Sequence, residues 1–124
     1  MTEDAGAHGC KVGSLGGLSV VTAPSELDLA NADQMREALA AAAAQHTTTV
    51  VDMTANTFCD SSGISALIGA HKQALAAGGE IRLVMTSPQV HRVFKVTGVD
   101  RIFRIFGSMP EAVAARSPAP RADP

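Results

Sequence analysis

Thr48-Thr49-Val50-Val51-Asp52-Met53-Thr54, then Phe58-Cys59-Asp60-Ser61-Ser62-Gly63, then Ile64, Leu67, Ile68, His71 and Leu75: how this run is read decides the fold. The first part, with Thr47 before it, is rich in β-branched residues and reads as a central strand. From Ile64 the apolar positions recur at spacings of 3, 4, 7 and 11, the pattern of an amphipathic helix, and Gly78-Gly79 stops it. The junction therefore sets two hydroxyls, Ser61 and Ser62, at a helix entrance. Unpaired backbone N–H groups and the positive end of the macrodipole make such an entrance tolerant of anions. A phosphoryl group on Ser62 would bring about −1.5 to −2 units of charge beside Asp60 without unfolding its host.

Towards the C-terminus, Ile81 to Met85 reads as a strand and Ser87-Pro88 as the N-cap and first residue of a helix. Val90, Val93, Phe94 and Thr97 form the expected inner side of that helix, and Gly98 ends it. Ile102 to Phe106 gives a last short strand, and Ser108 with Glu111 forms a capping box for a terminal helix that includes Ala112 and Val113. Towards the N-terminus, Leu18 to Ala23 is a strand closed by Pro24, paired across Gly16-Gly17 with a weaker strand at Cys10 to Ser14. The loop Ser25-Glu26-Leu27-Asp28 leads to Asn31, which with Gln34 offers another capping box. Met35, Ala38, Leu39, Ala42 and Ala43 then share one helix face, ending near Gln45 or His46. Strands separated by helices need crossovers, which favours a parallel sheet with right-handed connections. The expectation is an α/β domain over residues 10–115, with four to five strands in a mostly parallel, mixed sheet and about four helices. Residues 1–9 are expected to be flexible and 116–124 to form a disordered, proline-rich tail.

Composition narrows the function. At 124 residues and 46% hydrophobic the chain suits one core, and its apolar stretches break well before the roughly 20 residues a membrane helix needs. Met1-Thr2-Glu3-Asp4 is acidic where a secretion signal would be basic, so a cytoplasmic protein without membrane insertion is expected. A formal net charge of −2 argues against nucleic acid as a direct partner, and 3% aromatic content removes the stacking platforms of single-strand binders. Arg92, Lys95, Arg101 and Arg104 read as a solvated rim. Cys10, Cys59 and the four histidines are scattered, so no metal or cofactor is expected. Cys59 reads as a small hydrophobe at the end of a buried strand.

By itself Asp-Ser-Ser-Gly is weak, because Asp and Ser cap helices whatever a protein does. The helix that follows adds weight. With Ile64, Leu67, Ile68 and Leu75 turned inward, its outward strip near the entrance carries Ser62, Ser65, Ala66 and Gly69, a low-relief surface that a partner's backbone can approach.

Ser25-Glu26-Leu27-Asp28, Val50-Val51-Asp52-Met53, Phe58 to Ile64, Gly78 to Val84 and Val93 to Val99 together resemble the STAS domain, and more narrowly the bacterial anti-sigma-factor antagonists. The resemblance covers nearly the whole chain between its loose ends and implies a partner-switching cycle. In that cycle the unphosphorylated protein binds an anti-sigma factor that is itself a serine kinase, which frees the sigma factor. Phosphorylation of the second serine, here Ser62, switches binding off, and a metal-dependent serine phosphatase resets it. The resemblance makes Asp28 and Asp60 the expected contacts for the kinase. Ser61, Gly63, Ser65 and Gly69 complete the expected partner-binding face of a monomer or weak dimer. Two positions depart from the family pattern: Ser25 stands where glycine is usual, and Cys59 where an aliphatic residue or Met is usual.

Two other readings compete. An enzyme would use Ser61 or Ser62 with His71 or His91, but no Gly-x-Ser-x-Gly elbow is present and His71 falls on the apolar side of its helix, so no enzymatic activity is expected. The alternative within the resemblance is a non-switching STAS scaffold, or a docking subunit of a stress-signalling or lipid-transport complex.

Overall fold

The computed structural model describes residues 10–116; the expected loose ends, Arg116 apart, lie outside the described residues. Two strands come first, β1 (Lys11–Leu15) and β2 (Leu18–Thr22), followed by the two-residue β3 (Glu26–Leu27) and helix α1 (Ala32–Gln45). Next are β4 (Thr48–Met53), the two-residue β5 (Phe58–Cys59) and α2 (Ser61–Ala76). β6 (Glu80–Met85), α3 (Pro88–Val96), a 3-10 turn (Val99–Arg101), β7 (Arg104–Phe106) and α4 (Met109–Ala114) complete the chain. The five-stranded sheet has the order β1-β2-β4-β6-β7; β1 is antiparallel to β2 and every other pair is parallel, the mixed α/β sheet expected. Gly16 and Gly17 both have positive φ, which a two-residue hairpin turn matched to strand twist requires.

The centre of the sheet is buried on both faces, which is why β4 and β6 read as continuous apolar runs. On one face Val51, Met53, Leu83 and Met85 meet Met35, Leu39, Leu67 and Phe94 from the three longer helices in the main core. Full burial of each such large side chain contributes about 1.5–3 kcal/mol. On the other face Val50 and Val84 pack under Ala112 of α4. There Arg82, 1% exposed, donates from Nε to Glu80 at 2.8 Å and from a guanidinium nitrogen to the Ala112 carbonyl at 2.8 Å. Arg104 reaches the same Glu80 oxygen at 3.0 Å.

Several expectations need correction. Asn31 precedes α1 but makes no side-chain cap bond; it turns back, accepting from the Asp28 N–H at 2.9 Å and donating to the Glu26 carbonyl at 2.8 Å. Its amide has better partners in the loop behind it than in the helix ahead. α2 starts at Ser61, three residues before the apolar pattern that begins at Ile64. Its buried side is rotated towards α1, so Ala66 is buried and Leu75 is 56% exposed, while Ala43 of α1 is exposed. In α3 only Val90 and Phe94 are buried; Val93 is exposed, and exposed Thr97 donates its hydroxyl to the Val93 carbonyl. The last strand shortens to Arg104–Phe106 because Val99–Arg101 winds into a 3-10 turn, which leaves Phe103 buried against His71.

Candidate functional site

β3 and β5 form a separate parallel pair in which Glu26 meets Phe58 and Leu27 meets Cys59. The residues that leave this ladder side by side are Asp28 and Asp60, and adjacent strands lie only about 4.8 Å apart. The Asp60 N–H donates to the Leu27 carbonyl at 3.1 Å, which locks the two exits together. A Cβ on Gly63 would come within 2.6 Å of Leu27 Cγ and 3.0 Å of Cys59 Sγ, so glycine lets the first turn of α2 settle on this ladder. Gly63 is buried, so it presents no exposed surface to a partner, unlike what the expected partner face requires.

Asp60 is the N-cap of α2. Its Oδ1 accepts from the Ser62 N–H at 2.8 Å and the Gly63 N–H at 3.2 Å. The anion position that the helix entrance offers is thus already filled by a carboxylate of the chain, the capping role that Asp-Ser-Ser-Gly offers on its own. Ser61 and Ser62 follow as the first two helical residues, Ser61 exposed and Ser62 half-buried. Asp28 is also half-buried, with Oδ1 accepting from the Ala30 N–H at 3.0 Å. Ser65 and Gly69 are exposed further along the helix.

Facing the serines, Leu29, Ala32, Asp33 and Arg36 complete an open depression of about 490 Å3 with Ser61, Ser62 and Ser65. Leu29 is 80% exposed there, and Phe58 is 48% exposed on β5. The sequence reading missed both. The available signals were a leucine without periodic partners in a polar loop, and a large aromatic directly before Cys59 and the Asp-Ser-Ser-Gly element.

Nucleophilic chemistry finds no support in the geometry. Burial first, and then the charge of Asp60, push the Cys59 thiol up to about 12, and burial pushes Cys10 up to about 11. His71 lies nine residues beyond Ser62, about 13 Å of helical rise. Its Nδ1 accepts from the Ile81 N–H at 3.2 Å, and its pKa is lowered mainly by desolvation, with the Ile102 carbonyl and Glu80 pulling the other way. It is a packed neutral histidine, not a base for Ser62.

The model of the STAS domain family matches residues 11–112. The chain belongs to that family. Among relatives of this STAS domain, an anti-sigma F factor antagonist of Paenibacillus polymyxa is 31% identical over 94 residues, covering 73% of this chain and 79% of the relative. An anti-sigma factor antagonist of Mycobacterium paratuberculosis superposes with a TM-score of 0.76 at 26% identity, over 84% of this chain and 89% of the other. The Bacillus cell-fate determinant SpoIIAA in its phosphorylated form superposes with a TM-score of 0.65 at 23% identity, over 84% and 96% respectively. These matches set the STAS domain described here among the bacterial anti-sigma-factor antagonists. No helix among the described residues is long and apolar enough to cross a membrane.

Proposed function

We propose that this STAS domain is an anti-sigma-factor antagonist whose binding face is the entrance of α2 and whose switch is Ser62. The unphosphorylated form binds an anti-sigma factor with serine kinase activity and so frees a sigma factor. The kinase moves the γ-phosphoryl group of ATP onto Ser62 Oγ, whose proton is lost as ADP forms, and a metal-dependent phosphatase hydrolyses the ester. The relatives named as anti-sigma factor antagonists support the partner class, and SpoIIAA shows that a protein of this fold exists in a phosphorylated form.

The observation that carries the reading is the Asp60 carboxylate held on the Ser62 N–H. A dianion on Ser62 would sit next to a carboxylate that cannot leave without uncapping the helix. Nearby Asp28 adds to the repulsion, while the first-turn N–H groups of Ser62 and Gly63 are already taken. Like charge pressed into an interface costs several kcal/mol, and each 1.4 kcal/mol is about a factor of ten in affinity. Binding is switched off by charge, with no change of fold required.

The test is to incubate the chain with serine kinases of its host and ATP and to locate added phosphate by mass spectrometry. Phosphate is expected on Ser62 and is expected to be lost in Ser62→Ala, which still binds the kinase; Ser62→Asp is expected to bind poorly. Phosphate confined to another residue, or none with any of the kinases, would refute the proposal.

A further inference from the structure

Where α1 and α2 lie side by side above the sheet, the facing positions include Ala40 and Ala43 on one helix and Gly69 and Ala70 on the other. Their side chains are too short to close the gap, and a cleft of about 380 Å3 remains, within the roughly 300–1,000 Å3 of small-molecule sites. Small residues alone would show only that two helices approach closely. Thr49 shows more. It lies on the cleft wall from β4, is 3% exposed, and its hydroxyl makes no side-chain hydrogen bond among the described residues. The one sealed and unpartnered polar side-chain atom among those residues is Asn56 Oδ1, so the Thr49 oxygen is reached through the cleft. A hydroxyl on a residue this buried, open only to the cleft, takes its bond from whatever enters there, water or a ligand. Gly69 is a second, independent sign. A Cβ built there meets nothing within 4 Å, so no neighbour in the fold requires glycine at this mid-helix position, where glycine is disfavoured against alanine. Its absent side chain keeps the cleft open.

The lining holds one charged residue, Arg36, and no carboxylate; Gln73 supplies a second donor. Arg36 pairs with Asp33 at 2.8 Å, but a pair this exposed is weak and leaves other guanidinium N–H groups free. We propose that the α1–α2 cleft binds a small, flat hydroxy acid: an apolar body between the alanines, a carboxylate at Arg36 and a hydroxyl at Thr49. The cleft shares Arg36 with the depression beside Ser62, but its occupancy does not rest on phosphorylation of Ser62.

Titration of the full chain with 3-(4-hydroxyphenyl)propionate, followed by amide NMR, tests it. Saturable shifts are expected at Thr49, Ala43, Gly69 and Ala70. Weakening of at least about fivefold is expected for 3-phenylpropionate, which lacks the hydroxyl, and for the hydroxylated amide, which lacks the charge. Thr49→Val should remove the first discrimination and Arg36→Gln the second. Gly69→Leu, or Ala43→Leu from the opposite wall, should abolish binding while the protein melts no lower than before. Shifts that fail to saturate below about 1 mM, or that persist unchanged in both leucine variants, would overturn the proposal.

Discussion

Glu80 and Asp60 both open a secondary-structure element, and each engages one carboxylate oxygen twice, but with different partners. Glu80 is buried under α4 and takes two guanidinium groups, from Arg82 and Arg104, on one oxygen. Asp60 is half-buried at the entrance of α2 and takes two backbone N–H groups. The first carboxylate is neutralised where it stands, and its cluster serves the fold by tying α4 to the sheet. The second is oriented by amide dipoles and has no cationic side chain paired with it among the described residues. Charge that remains uncancelled is charge that can decide what docks.

The largest effect expected from breaking this contrast is at the buried cluster. Arg82→Ala leaves Glu80 with one partner and strands the Ala112 carbonyl, for a loss of about 3–5 kcal/mol in chemical unfolding, with partner affinity of the surviving folded fraction unchanged. Asp60→Ala removes a cap of about 1 kcal/mol. At that smaller cost in stability it should shrink the affinity gap between phosphorylated and unmodified chains by tenfold or so, which equilibrium binding of both forms would measure.

His71 sharpens the comparison on the apolar side. Its folded pKa lies below the ordinary 6.5, so the unfolded chain binds the extra proton first. The associated stability is complete above 6.5 and is lost as pH falls below it towards the folded pKa; His71→Asn should flatten that part of a melting-temperature profile against pH. The smallest stability change belongs to Leu29→Ala, within about 0.5 kcal/mol because the side chain is 80% exposed. Its partner affinity, by calorimetry, should nonetheless fall severalfold, since the leucine faces the Ser62 depression.

Much of this was legible in the chain itself, for identifiable reasons. Val50 to Met53 and Ile81 to Met85 are long enough and apolar enough to declare a sheet buried on both faces. Asp60 and Ser62 declare a helix entrance through capping chemistry that acts over three residues. β3 and β5 escaped because a two-residue strand has no period to detect, and that pair is what brings Asp28 beside Asp60. On α2 the expected face fails at Ala66 and Leu75 because side-chain size does not decide burial there. A helix packed beside another through alanines buries its small side and leaves the edge leucine in water. Which Asp60 oxygen takes the Ser62 and Gly63 N–H groups depends on side-chain orientation, which residue spacing does not carry.

The central claim is that charge at Ser62, held against Asp60, decides binding. The most direct measurement is the dissociation constant of the cognate anti-sigma factor kinase for the Ser62-phosphorylated and unmodified chains, compared by calorimetry in the same buffer. The account predicts weakening by tens-fold or more on phosphorylation. Equal dissociation constants would contradict it.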